Sequence, residues 1–252
     1  MKSVIRNLKR VHIFLFFAGM FMMLVACNSN NSTNAVENLT SELCPELRGP
    51  EALYWDLANG IPRGDIPGGL PTVRNVGGSF IHPASPLLSF VYPAGYQASI
   101  DPTQNTIGVN VIRNDNQSIW RQAQISLPNV QLNSAQVMDV EMRNLLSFLG
   151  RNNSTPNIVC VNQGSGPAPG GGGLLMSDFT NIFLRVDNFT ATLVTRVTIL
   201  QGTDVTFSTV DIGVTAAPTS QYNDEILLTF LPISWQLLFR DPDLRGKTDY
   251  GE

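Results

Sequence analysis

Residues 179–200 read FTNIFLRVDNFTATLVTRVTIL, and their spacing decides the fold. Ile182, Leu184 and Val186 stand at every second position, and Phe189, Ala191, Leu193, Val197 and Ile199 do the same on the other parity. A period of two is that of strands with one face turned inward. Parity changes at Asp187-Asn188, residue types that tolerate the left-handed backbone of a tight hairpin turn. Residues 201–204 supply the next turn and 205–214 a return strand, which makes an antiparallel meander.

Upstream, Ile107, Val109 and Val111 alternate with Gly108 and Asn110. After a polar turn at 114–117, Ile119, Ala123, Ile125 and Leu127 continue, so this stretch is predicted to be a second hairpin. Trp120 falls on the other parity and faces solvent or a second layer. Residues 134–149 carry the best helical pattern: Met138, Met142, Leu145 and Leu149 recur at helical spacing, Asn133 or Ser134 can cap the start, and Gly150 can close the end. A shorter helix is expected at about 50–59, where Pro50 suits the first turn.

The remaining stretches are less regular. Residues 157–162 read as a strand carrying Cys160, followed by a Gly-rich loop at 163–173. No Lys-Ser/Thr follows this loop, so it lacks the phosphate-binding pattern. Residues 60–95 are dense in Gly and Pro and read as an irregular wrap over the core or a functional surface loop, with short extended pieces near 87–92. Residues 226–239 read as a last, fully apolar strand broken at Pro232. The fold expected is mainly β: an antiparallel β-sandwich-like domain with one packed α-helix (about 134–149) and a short N-terminal helix (about 50–59).

The first 27 residues have a different character. Lys2, Arg6, Lys9 and Arg10 precede an apolar run from Val11 to Ala26, and no acid occurs before Glu37. That run is shorter than the roughly 20 residues a spanning helix needs and suits the apolar core of a secretory signal. Leu24-Val25-Ala26-Cys27 resembles the lipobox of bacterial lipoproteins position by position. The resemblance implies that Cys27 is diacylated on sulfur and becomes the new N-terminus, anchored in a membrane by its acyl chains. Asn28, where an Asp would resemble an inner-membrane retention signal, makes the outer membrane the better destination in a host with two membranes. The alternatives are an ordinary signal peptide cleaved after some small residue and an uncleaved N-terminal anchor. The organisation expected is a signal peptide at 1–26, a lipidated Cys27 with a flexible tether to residue 43, and one β-rich domain from 44 to 252.

Composition narrows the function. Four of the 16 basic residues lie before Cys27, which leaves 12 against 20 acidic ones in the mature chain. That balance argues against nucleic acid as a partner. With Cys27 acylated, Cys44 and Cys160 remain as a pair in an oxidising compartment, to be bridged or left as buried thiols. Neither a metal site nor a cofactor is expected.

Apart from His12 in the signal, His82 is the only histidine, and no nucleophile motif lies near it; a loop histidine bonded to backbone is expected. Asp56, Asp65, Asp211, Asp224 and Glu225 are scattered acids that would serve a hydrolase only if two met in a cleft. Asp241, Asp243 and Asp249 lack calcium-loop spacing. Tyr54, Trp55, Trp120 and Trp235 would serve a carbohydrate or small-molecule binder if their rings were exposed. The reading favoured is a membrane-anchored envelope lipoprotein with a non-catalytic structural or protein-binding role. Its partners would be the membrane, through Cys27, and another envelope protein.

Overall fold

The computed structural model describes residues 36–61, 72–128, 130, 132–167, 175–200 and 207–238. The meander stands where its period placed it. Strands β7 (Leu175–Val186), β8 (Phe189–Leu200) and β9 (Phe207–Pro218) pair antiparallel, with Leu184 opposite Ala191 and Val197 opposite Val210. Asp187 turns the first hairpin at φ +50°, in the left-handed region that Asp and Asn tolerate.

The upstream hairpin is also present, as β4 (Thr106–Arg113) and β5 (Ile119–Pro128), with β3 (Tyr96–Ile100) added outside it. The helix α2 (Ser134–Phe148) then carries the chain across one face of the sheet to β6 (Asn157–Pro167). Because β9 returns to pair with β5, all seven strands join in the order β3-β4-β5-β9-β8-β7-β6. β6 therefore forms one edge and β3 the other.

The two faces carry separate cores. Leu184, Leu193, Val197, Val210, Ile212 and Val214 meet Val137, Met138, Leu145 and Leu146 of α2. The helix starts on a capping box between Asn133 and Gln136 and ends before Gly150, at φ +65°. Its first turn is tied down from the sheet, where Asp178 accepts from the Ser134 N–H at 2.6 Å and Thr195 donates to the Ser134 carbonyl at 3.0 Å.

The other face packs Phe183, Trp120, Val109 and Val111 against α1 (Gly49–Ala58), a hairpin and the C-terminal helices. The sandwich-like expectation is thus met by one large sheet. Its second layer is made of helices and a two-stranded hairpin, not a second large sheet.

Three local expectations are corrected. Residues 226–239 do not form a strand. A short helix α3 (Tyr222–Glu225) runs into a π-helical segment (Ile226–Phe230) and then into α4 (Leu231–Leu238). A continuous apolar run has no period by which to tell a buried strand from a buried helix. Pro232, read as a break, sits at the second position of α4, directly after the π-helical segment.

Secondly, the irregular wrap contains a hairpin, β1 (Val76–His82) with β2 (Ser85–Pro93). Its glycines answer a close backbone approach: a Cβ on Gly77 would lie 2.6 Å from the Ala94 Cα. Thirdly, β6 continues to Pro167 through residues read as the start of a loop. Packing also begins ahead of residue 44, with Val36 and Ser41 buried.

Candidate functional site

β6 is an eleven-residue edge strand without a charged side chain from Asn157 to Pro167. An edge strand presents unpaired N–H and C=O groups, and charge is the commonest guard against pairing with another chain. Here Ile158 and Val161 are 46% and 52% exposed. Among the described residues, the protective devices on this strand are a register shift between Ile158 and Cys160 and the terminal Pro167. The opposite edge is guarded better, since β3 has five residues and the β1–β2 hairpin packs against it.

The face of β6 that looks away from α2 carries Cys160, Asn162, Gly164 and Gly166, opposite Phe183, Asn181, Phe179 and Ser177 of β7. Phe179 lays its ring across Gly164, so that a Cβ on that glycine would come within 2.9 Å of the ring. Above Gly166 a Cβ would meet nothing within 4 Å among the described residues. Phe179 is half-buried and belongs to neither core. Among the described residues, the edge therefore has a gap in its side-chain cover, a notch one pair of strand positions along from the Phe179 ring.

A disulfide joins Cys44 to Cys160, with Cα atoms 6.0 Å apart, and pins the N-terminal segment to this strand. With both sulfurs in that bond, the nearby trio Cys44, Glu46 and Cys160 offers no thiolate to a metal. Asn59, at the end of α1, adds a polar tie: its Oδ1 accepts from the Nδ2 groups of Asn162 and Asn181, each at 2.7 Å.

The predicted acids fall apart from one another. Asp56 accepts from Ser41 Oγ at 2.5 Å and from the Glu42 N–H at 3.2 Å. Glu225 takes the Tyr96 hydroxyl and, at 2.6 Å, Arg113. Asp224 is exposed. Asp211 lies on the sheet, in a row with Gln124, Arg196 and Phe179. Gln124 Nε2 donates to it at 2.7 Å, yet burial outweighs both this bond and the Arg196 charge and pushes its carboxyl up to about 7. No hydrogen bond or ion pair joins any two of these acids among the described residues, and Asp65, Asp241, Asp243 and Asp249 lie outside them.

The tryptophans are core residues. Trp55 is fully buried, edge-on to Phe183; Trp120 packs on Phe90 and donates its Nε1 to Ser234; Trp235 is 9% exposed. Tyr54 is packed against the same core, where burial raises its hydroxyl to about 12. None offers a ring face for stacking a sugar. His82 is buried at the end of β1, where its Nδ1 accepts from the Ala84 N–H at 3.2 Å and burial lowers its pKa. Cys27 and its signal segment lie outside the described residues.

Sequence reading missed the charged cluster under α2. Arg121, itself only partly exposed, meets Asp101 at 2.6 Å and also Glu141, and both carboxylates are buried. Burial opposes ionisation of Asp101, but hydrogen bonds from Thr103 and Arg121 outweigh it and hold its carboxyl below the usual value. These residues stand far apart in sequence, and only the strand register and the helix crossing bring them together. No protein-family model matches this chain, and no curated protein matches it in sequence. Among the described residues, no helix is long and apolar enough to cross a membrane.

Proposed function

We propose that the chain is a lipid-anchored envelope protein, tethered through Cys27, whose β-rich body binds another envelope protein and carries out no catalysis. The observation that supports this most strongly is the long, uncharged, exposed edge of β6, because such an edge invites a strand from another chain. The separation of Asp56, Asp211 and Glu225, each held by its own partners, suits a structural role better than paired acid–base chemistry. The lipobox-like residues 24–27 support the anchor, and Asn28 supports the outer membrane in a host with two membranes.

The test is fatty-acid labelling and membrane partition of the wild type and Cys27→Ala, combined with crosslinking pull-down from intact cells. Labelled, membrane-bound wild type with a reproducible protein partner, and unlabelled soluble Cys27→Ala, are expected. A Cys27→Ala chain that still takes up label and stays with the membrane would overturn the anchor. Wild type recovered without any partner would overturn the binding role.

A further inference from the structure

Resting on the protein-partner reading, we propose that β6 takes up an extended, uncharged strand from a different envelope protein, which seats a large apolar side chain over Gly166 beside Phe179. An added strand bonds through backbone groups, which are alike in every sequence, so selectivity must come from its alternate side chains. On this edge only one side is shaped to select. At Gly164 the Phe179 ring already fills the space, and at Gly166 the space is open among the described residues. A side chain arriving there gains an aromatic wall and covers a half-buried ring that neither core absorbs.

The absence of charge along β6 sets the rest of the partner's chemistry. A charged residue on the incoming strand would find no counter-charge among Asn157–Pro167. A second copy of β6 does not fit the notch. Its side chains on the relevant face are Cys160, Asn162, Gly164 and Gly166, none of them large and apolar, and Cys160 is already in the disulfide. The register shift at 158–160 further shortens any regular self-pairing.

Two synthetic peptides test this on the full chain: an uncharged, Thr-rich eleven-residue strand with a central Phe, and the same strand with Ala there. The Phe peptide should slow amide exchange in β6 and bind about tenfold or more tighter than the Ala peptide. Gly166→Val, which adds its side chain in open space and suits a strand, should abolish that preference. Equal binding of both peptides, or no change in β6 exchange, would overturn the notch.

Benzophenone crosslinkers at Gln163 and, separately, at exposed Ile81 in intact cells distinguish the levels of failure. An adduct of another protein from Gln163 whose crosslinked peptide is uncharged and bears a large apolar residue supports the proposal. Adducts only from Ile81 keep a protein partner and overturn this edge. Adducts from neither position overturn the partner reading itself, and a covalent dimer of this chain from Gln163 overturns the assignment to a different protein.

Discussion

Arg121 sits between Asp101 and Glu141 beneath α2, one guanidinium serving two buried carboxylates. Removing the cation leaves two desolvated acids facing each other, which costs far more than the original arrangement contributes. Arg121→Met should therefore lower the unfolding free energy by about 3–5 kcal/mol in urea titration. The triple variant with Asp101→Asn and Glu141→Gln should recover much of that loss, because the uncompensated charge is gone.

Asp211 has the opposite problem. Its carboxyl is raised from 3.8 to about 7, so the folded protein holds a proton that the unfolded chain releases. Stability should fall as pH rises from about 4 to about 7 and level off above that. Asp211→Asn keeps the shape and cannot ionise. Its melting temperature should lack that decline and exceed that of the wild type by a few degrees above neutrality.

Gln236 shows how α4 is held to the rest of the fold. Its side-chain amide behaves like a strand residue, accepting from the Val91 N–H at 2.9 Å and donating to the Val91 carbonyl at 3.0 Å. Gln236→Ala leaves both groups of β2 unpaired beneath the helix. A loss of about 1–3 kcal/mol in urea unfolding is expected, with faster amide exchange in β2 than in β8.

Nothing in the sequence near residue 236 announces this contact, and the reason is general to the C-terminal run. Ile226, Leu231 and Ile233 are buried while the exposed positions 227 and 228 are also leucines, so the run has no polar face from which to read a period. By contrast β7, β8 and α2 present their apolar residues to the α2-side core at alternate or helical spacing, and their pattern was legible. The β1–β2 hairpin was hidden by Gly77, Gly78 and Pro83, which break strand propensity but satisfy a close backbone approach and a turn. Strand order was not legible either. Only the long-range pairing of β5 with β9 decides that β6 is left at the edge, and so only the structure discloses the notch.

The Cys44–Cys160 bond joins the N-terminal segment to the exposed edge across 116 residues of sequence. Two effects of the bond can be separated. Closing so long a loop restricts the unfolded chain and contributes on the order of 4–5 kcal/mol however the native state is built. Local pinning of β6 is a separate, native-state effect, because an edge strand has a neighbour on one side only. Cys44→Ala with Cys160→Ala should lower the melting temperature by roughly 10–15 °C through the first effect. If the bond also holds the edge, β6 amides should exchange faster in this variant than those of β7 and β8, relative to wild type under native conditions. The α2 face, whose core contains neither cysteine, should keep its protection. A melting loss with uniform exchange would mean that the bond acts on the unfolded chain alone. The edge would then owe its shape to β7, and a partner strand would meet the same surface in reduced and oxidised protein.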